Sequence, residues 1–181
     1  MADQIVRVRR ATAEDASAIA CVKIASWRAT YVGALPQDVL SALDHDAEEA
    51  AWALAVLCSA GEHGSVRRYL AVLECDSRVI GFVYLAPSKK GGEGCVELRS
   101  IYLEPGREGG GSGQILMNDA LVWARRESVY TTLELFVLSS NLRAARFYER
   151  IGLVRDDEPI ETRMCGAPCT LYRFTCSLRG E

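Results

Sequence analysis

The sequence predicts an α/β domain: a mixed, mostly antiparallel central sheet with helices on both faces. Three observations carry this. The apolar period switches repeatedly between two and 3.6 residues along the 181-residue chain. The segments run as a hairpin followed by strand–helix–strand–helix–strand, an order that needs a mixed sheet covered on both sides. Finally, PGREGGGSGQ (105–114) sets five glycines and a serine into positions 106–113, between an apolar strand and an amphipathic helix. With 49% hydrophobic and 25% charged residues, the composition is globular, and residues 1–181 fit one domain.

Each element follows in order. IVRVRR (5–10) alternates and reads as a first strand. Thr12, with Asp15 three residues on, has the form of a capping box. The helix it opens carries Ile19, Val22, Ile24 and Trp27 inward and ends before Gly33. Pro36 starts a short helix through Leu43, and Asp46–Ala60 reads as a third. RYLAVLEC (68–75) and RVIGFVYLAP (78–87) form a hairpin about an Asp-Ser turn, and SKKGGEG (88–94) is a loop. CVELRSIYL (95–103) is a strand, the glycine stretch follows, and a helix spans roughly Gly113–Arg126. TTLELFVL (131–138) is a fifth strand. In SNLRAARFYERIG (140–152), Ala144, Phe147, Tyr148 and Ile151 form one apolar stripe, with Gly152 in the position of a helix C-terminal glycine. A last strand lies around Thr170–Cys176.

Charge and cysteine usage exclude several classes. A net charge of −3 and a pI near 5.5 give no global basic field for nucleic acid. The apolar run in Ala50–Ala60 is too short for a membrane span. MADQIVRVRR has no apolar leader, which points to a cytoplasmic protein. Seven cysteines scattered among apolar neighbours suit free thiols in a reducing compartment. Neither His45 nor His63 neighbours Cys165 or Cys169, so a zinc site has no support and no metal is expected. A Cys nucleophile paired with either histidine has no support in the sequence.

The glycines need a reason, because each costs about 0.5–1 kcal/mol relative to alanine in regular structure. A flexible turn is one. The other is an anion cradle, in which bare N–H groups lead into a helix N-terminus whose dipole favours a phosphate. GxxxxGK[ST] is absent, and glycines alone do not decide.

The order IYLEP, glycine loop, helix, strand, then N-L-R-A-A-R-F-Y-E-R-I-G-L resembles the GNAT superfamily of acyl-CoA-dependent N-acetyltransferases. Asn141, Ala144, Phe147, Tyr148 and Gly152 match that family's N-x-x-A-x-x-F-Y-x-x-x-G-F, with Leu153 replacing the final Phe. W-R-A-T-Y (27–31) before G-A-L-P extends the likeness upstream. In the family's Q/R-x-x-G-x-G/A pattern, one frame uses Glu108, Gly111 and Gly113. The other uses Arg107 and Gly110, with Ser112 at the second small position.

The resemblance implies acetyl-CoA as cosubstrate and direct attack by an amine in a ternary complex. The pyrophosphate would sit on Arg107, Glu108, Gly109, Gly110, Gly111, Ser112 and Gly113. The pantetheine arm would pair with the strand at Ile101, Tyr102 and Leu103, against Asn141, Ala144 and Phe147. Tyr148 would be the general acid for the departing thiolate, although its stripe also permits a core aromatic. A plain helix cap is the alternative reading of Asn141. Glu97 is the candidate base, and regular alternation sets it on one face with Arg99, Ile101 and Leu103, where it can also simply pair with Arg99. Trp27, Arg28 and Tyr31 would wall the acceptor pocket. The acidic run RDDEPIE (155–161) is a solvated segment or a border favouring a cationic amine. The acceptor would be a small-molecule amine or a peptide or protein amine, and family members commonly form homodimers. A non-catalytic acyl-CoA sensor and a phosphate or nucleotide binder are the alternatives.

Overall fold

The computed structural model describes residues 5–60 and 67–179; His63 lies outside them. The elements are β1 (Val6–Arg10), a 3-10 turn (Ala13–Asp15), α1 (Ala16–Thr30), α2 (Gln37–Ser41), α3 (His45–Ala60), β2 (Tyr69–Cys75) and β3 (Arg78–Pro87). They continue as β4 (Cys95–Leu103), α4 (Ser112–Arg126), β5 (Thr132–Leu138), α5 (Leu142–Arg150), β6 (Val154–Arg155), β7 (Ile160–Met164) and β8 (Ala167–Ser177). The sheet runs β1-β2-β3-β4-β5-β8-β6, with β7 also paired to β8. Every pairing is antiparallel except β4 with β5.

Strand alternation divides the core. Ala71, Leu73, Val83, Leu85, Val96 and Leu98 face α4 and α5, meeting Leu116, Met117, Ala120 and Ala145. Leu70, Val72 and Phe82 face the other way onto Ile19, Ala20, Trp52 and Val56 of α1 and α3. At the start of the first helix the Asp15 carboxylate accepts the Thr12 N–H at 2.7 Å and the Thr12 hydroxyl at 3.1 Å. That reciprocal cap is the one the sequence signals.

Two features differ from the sequence reading. The last strand is preceded by β6 and β7, so the tail folds as a β7–β8 hairpin in which Met164 faces Ala167 across Cys165 and Gly166. Both turn residues have positive φ (49° and 82°), as a two-residue hairpin turn requires. The acidic segment 155–161 is therefore partly strand rather than a plain solvated run.

The second difference is a bulge. Tyr84 pairs with Ser100 but Leu85 pairs with Leu98, which leaves Arg99 as an extra residue in β4. Regular alternation then fails. Leu98 and Ile101 pack on the α4/α5 side while Tyr102 packs with the α1/α3 cluster. Glu97 is thus brought onto the face of Tyr102, not that of Ile101 and Leu103.

Candidate functional site

β4 and β5 pair only from Cys95–Thr132 to Glu97–Glu134 and then part. The wedge between them opens into a cleft of about 1150 Å³. Leu98–Leu103 lines one side and Phe136–Leu138 the other, so the edges of two strands face each other without pairing. Backbone groups on those edges need partners. An extended ligand carrying amides can supply them.

The wide end of the wedge meets the glycine loop. Gly111, with φ 87°, caps α4 in a left-handed conformation that a side chain would strain, and Gly109 has the same φ. A Cβ on Gly113 would stand 3.7 Å from the Phe147 ring and 3.8 Å from Leu103, inside the cleft wall. Glu108, Gly109, Gly111 and Gly113 line the cleft, and Arg107, Gly110 and Ser112 do not. The register seen in the cleft is that of the Glu108/Gly111/Gly113 frame. Arg107 turns back towards Glu104 at 3.9 Å, which itself holds Arg78 through two contacts of 2.7 Å. Glu108 is held in the loop, where its carboxylate accepts the Gly106 N–H at 2.8 Å and faces Arg143 at 3.7 Å.

α5 forms the next wall. Asn141 is its N-cap, with Oδ1 accepting the Ala144 N–H at 3.1 Å. Its amide nitrogen is a separate donor, so capping and ligand binding do not compete. Asn141, Ala144, Phe147 and Tyr148 all line the cleft, along with Arg143, Arg146 and Arg150. Tyr148 is 8% exposed and packs against Phe147 and Phe174. Burial, and then the neighbouring Tyr31, hold its phenol well above the ordinary value, so it stays protonated at neutral pH. A protonated hydroxyl in a dry wall is a proton donor for a developing anion.

The narrow end is built from distant segments. Trp27 and Tyr31 close α1 over the cleft, their rings edge to face at 5.2 Å. Phe136 of β5 and Met164 of β7 line the same cleft. Arg28, expected beside Trp27, instead points away: its Nε donates to the Leu40 carbonyl and its Nη2 to that of Leu43, both at 3.2 Å, tying the α2 segment to α1.

Glu97 is not among the residues lining the cleft. It stands beside the last paired position of the wedge, 3.5 Å from Arg99. Burial first, and then the Glu134 carboxylate against the pull of Arg99, leave its carboxyl above the usual range. Glu134, its partner across the strands, is fully buried and takes Ser88 Oγ and Arg173 Nε (2.7 Å); Arg173 also reaches Asp156 at 3.1 Å. Ser88 in turn accepts the N–H groups of Lys90 and Gly91 at 3.0 and 2.7 Å. This network pins the 88–91 loop below the narrow end.

Other chemistry is not assembled. Among the described residues, no group of three or more His, Cys, Asp or Glu could hold a metal ion. Nor is any helix among them long and apolar enough to cross a membrane. All seven cysteines are free, and burial pushes the Cys95 thiol up to about 11.

Sequence reasoning missed Met164, Phe136, Thr30 and the three arginines of α5. Met164 had a signal in the alternating IETRM before a glycine turn. Phe136 lay within a strand whose lining role depends on where it parts from β4, which no local pattern encodes.

A mixed sheet whose one parallel pair parts over a glycine-lined helix start defines an acyltransferase fold. Comparison with known proteins agrees. The chain belongs to the Acetyltransferase (GNAT) family, whose model matches residues 26–153. It is 32% identical over 114 residues to the uncharacterized N-acetyltransferase YuaI of Bacillus subtilis (strain 168), a match spanning 62% of this chain and 61% of that protein. The PaiA N-acetyltransferase from Thermoplasma acidophilum, solved with coenzyme A, superposes with a TM-score of 0.75 at 20% identity, covering 93% of this chain and 98% of that one. YncA, a putative acetyltransferase from Salmonella typhimurium solved with acetyl-CoA, gives a TM-score of 0.71 at 20% identity over 97% and 95% of the two chains.

Proposed function

We propose that the protein transfers an acetyl group from acetyl-CoA to a primary amine by direct attack in a ternary complex. The observation that carries this reading is the position of Tyr148: a buried, protonated phenol in the wall of a cleft that begins at a glycine-lined helix start. Family membership supports the donor, and the seven free thiols suit a reducing cytoplasm.

In this reading the amides and dipole at the start of α4 hold the pyrophosphate. The pantetheine arm lies in the wedge as an added strand along Ile101–Leu103, with the Asn141 amide donating to it. This delivers the thioester to Tyr148. The neutral amine adds to the thioester carbon, the C–S bond breaks and the thiolate takes the Tyr148 proton, while the surplus proton shed by the nitrogen passes to solvent, from which the phenolate is reprotonated. Trp27, Tyr31, Phe136 and Met164 present the acceptor, a small-molecule or peptide amine.

The test is turnover of acetyl-CoA against a panel of small amines, polyamines, amino acids and peptides. Loss of thioester absorbance is the suitable readout, since the exposed Cys21 and Cys165 would consume thiol reagents. Acetyl-CoA-dependent acetylation of at least one amine class is expected. Tight acetyl-CoA binding with no transfer to any amine would favour a sensor.

A further inference from the structure

Among the described residues, the cleft lining carries four arginines and a single acid, Glu108, which the glycine loop holds through the Gly106 N–H. None of the acids of 155–161 is part of the lining, and neither is Glu97. A lining of this sign suits anions, because a cationic ligand would meet several like charges there. The arginines fall into two groups. Arg143, Arg146 and Arg150 follow one another on α5, and Arg143 faces Glu108 of the glycine loop at 3.7 Å. The phosphates of the donor account for that group. Arg99 stands apart on β4, where the uncharged pantetheine arm gives it nothing to bind.

Arg99 owes its place in the cleft to the bulge. It is the residue that β4 has in excess of β3, and a bulge of this kind commonly re-aims a side chain at a site. Its Nη2 donates to the Pro87 carbonyl at 3.0 Å, and its Nε faces Glu97 at 3.5 Å. Neither contact uses Nη1, whose two N–H groups are left for a ligand. The Pro87 contact also ties Arg99 to the start of the 88–91 loop. From that loop the exposed Lys90 sets its ammonium 5.4 Å from the ring of Phe136, a cleft residue. Arg173 lies directly across from Phe136 on β8 but is no rival, since Glu134 and Asp156 take its charge.

We infer that the acceptor is a primary amine that also carries an oxyanion, a carboxylate or phosphonate, which Arg99 and Lys90 hold beside Phe136. This rests on the acetyltransferase reading above and narrows its acceptor. Arg99 supplies directed N–H groups that oxyanions accept well, and Lys90 adds a mobile point charge. The apolar surfaces of Trp27, Tyr31, Phe136 and Met164 take the body of the molecule.

The experiment measures kcat/KM of the full chain for phenylalanine, methionine, β-alanine and γ-aminobutyrate, each beside its primary amide. Aminoethylphosphonate tests the second oxyanion, and spermidine is the cationic control. At least one acid should exceed its amide by about tenfold to a hundredfold, the worth of a charge-assisted hydrogen bond. That preference runs against intrinsic reactivity, since the amide's amine is less basic and more of it is neutral. Arg99→Gln should raise KM for the acid by a similar factor, leave acetyl-CoA affinity unchanged, and so erase the preference. Arg99→Lys should restore part of it. Lys90→Gln should cost about threefold, and less as salt rises. A faster reaction of aminoethylphosphonate than of β-alanine supports the same anchor with phosphonate as its ligand. The anionic acceptor is overturned, with the acetyltransferase reading intact, if the amides or spermidine react as well as the acids. An Arg99→Gln variant that weakens acid and amide alike overturns it too, since that is the mark of a structural role. Should this variant lose acetyl-CoA affinity, the wild-type ratios and Lys90→Gln still decide. A wild-type protein that acetylates no amine overturns both readings.

Discussion

The two halves of the cleft are made of different materials. The half at the wide end is backbone: the parted edge of β4, the glycine loop and the start of α4, with α5 adding a wall of both apolar side chains and arginines. The half at the narrow end is side chain: Trp27 in α1 and Tyr31 at its C-terminal cap, Phe136 from β5 and Met164 from the β7–β8 hairpin. A ligand recognised by amides leaves a trace in the sequence, because close backbone approach and positive φ need glycines at fixed spacing. A ligand recognised by side chains from three elements leaves only a partial one, here Trp27 and Tyr31 of the W-R-A-T-Y segment. The junction of the halves is Tyr148, which belongs to the motif of the first and, in the proposed reaction, serves the chemistry of the second.

That contrast is testable first at the junction, where the largest effect lies. Tyr148→Phe should lower kcat by about 10²–10⁴-fold, the ordinary worth of a general acid, and leave acetyl-CoA KM near wild type. In the proposed mechanism the phenol acts when charge develops on sulfur, whereas backbone and Asn141 hold the donor. An unchanged kcat under chemistry-limited conditions would leave Tyr148 as wall and nothing more.

The next effect tests whether the narrow end depends on its buried support. Glu134→Gln removes the charge that Arg173 and Ser88 share in a fully buried position. Breaking a buried pair from one side costs about 3–5 kcal/mol, and the lower end applies because Arg173 keeps Asp156. Chemical denaturation should show that loss. Acetyl-CoA affinity, set at the other end of the cleft, should stay within twofold; a large fall would mean that the halves are mechanically coupled.

The same division explains what the sequence made legible. The element order, the Thr12–Asp15 cap, the glycine-capped end of α5 and the motif from Asn141 to Gly152 are local patterns, and each appears where it was expected. Missing were consequences of pairing between distant segments. The extra residue at Arg99 exists only relative to β3, so regular alternation set Glu97 with Ile101 when the folded strand sets it with Tyr102. Arg28 follows Trp27 in sequence but is drawn off by the Leu40 and Leu43 carbonyls. The β7 strand was hidden because its turn, Cys165-Gly166, lacks the usual Asn-Gly or Asp-Gly signature.

Glu97 gives a smaller effect, and one with a sign. Its folded carboxyl titrates above the ordinary range, chiefly through burial. Between the unfolded and folded values the native state therefore binds more protons, so this group's contribution to stability is full below the unfolded value and falls as pH rises through the folded one. Glu97→Gln removes that loss. Its Tm relative to wild type should rise from acid to neutral pH, while the transfer rate stays within about threefold throughout, as expected of a group outside the cleft. A rate deficit largest at low pH would restore Glu97 as the base.

The finest test lies at the wide end, in the charge at position 108. A carboxylate beside a pyrophosphate is unfavourable, yet Glu108 is turned into its own loop by the Gly106 N–H and faces Arg143. Glu108→Gln keeps an oxygen for that N–H, so the loop should hold its shape. It removes the negative charge and leaves Arg143 free to face phosphate, whose oxygens a guanidinium can bond in pairs. Charge near a helix start is worth about 0.3–1 kcal/mol, which corresponds to CoA binding about two- to fivefold tighter. The gain should shrink as salt is raised, since Arg143 is largely exposed and screening acts within about 10 Å at 0.1 M. Arg143→Gln should move affinity the opposite way, because Glu108 then meets the phosphates uncompensated. Titration calorimetry with CoA and dephospho-CoA at two ionic strengths separates the terms: an effect shared by both ligands lies at the pyrophosphate, and one confined to CoA lies at the ribose phosphate. If Glu108→Gln leaves both affinities unchanged, the charge at 108 is already fully balanced by Arg143, and the wide end of the cleft binds through its backbone alone.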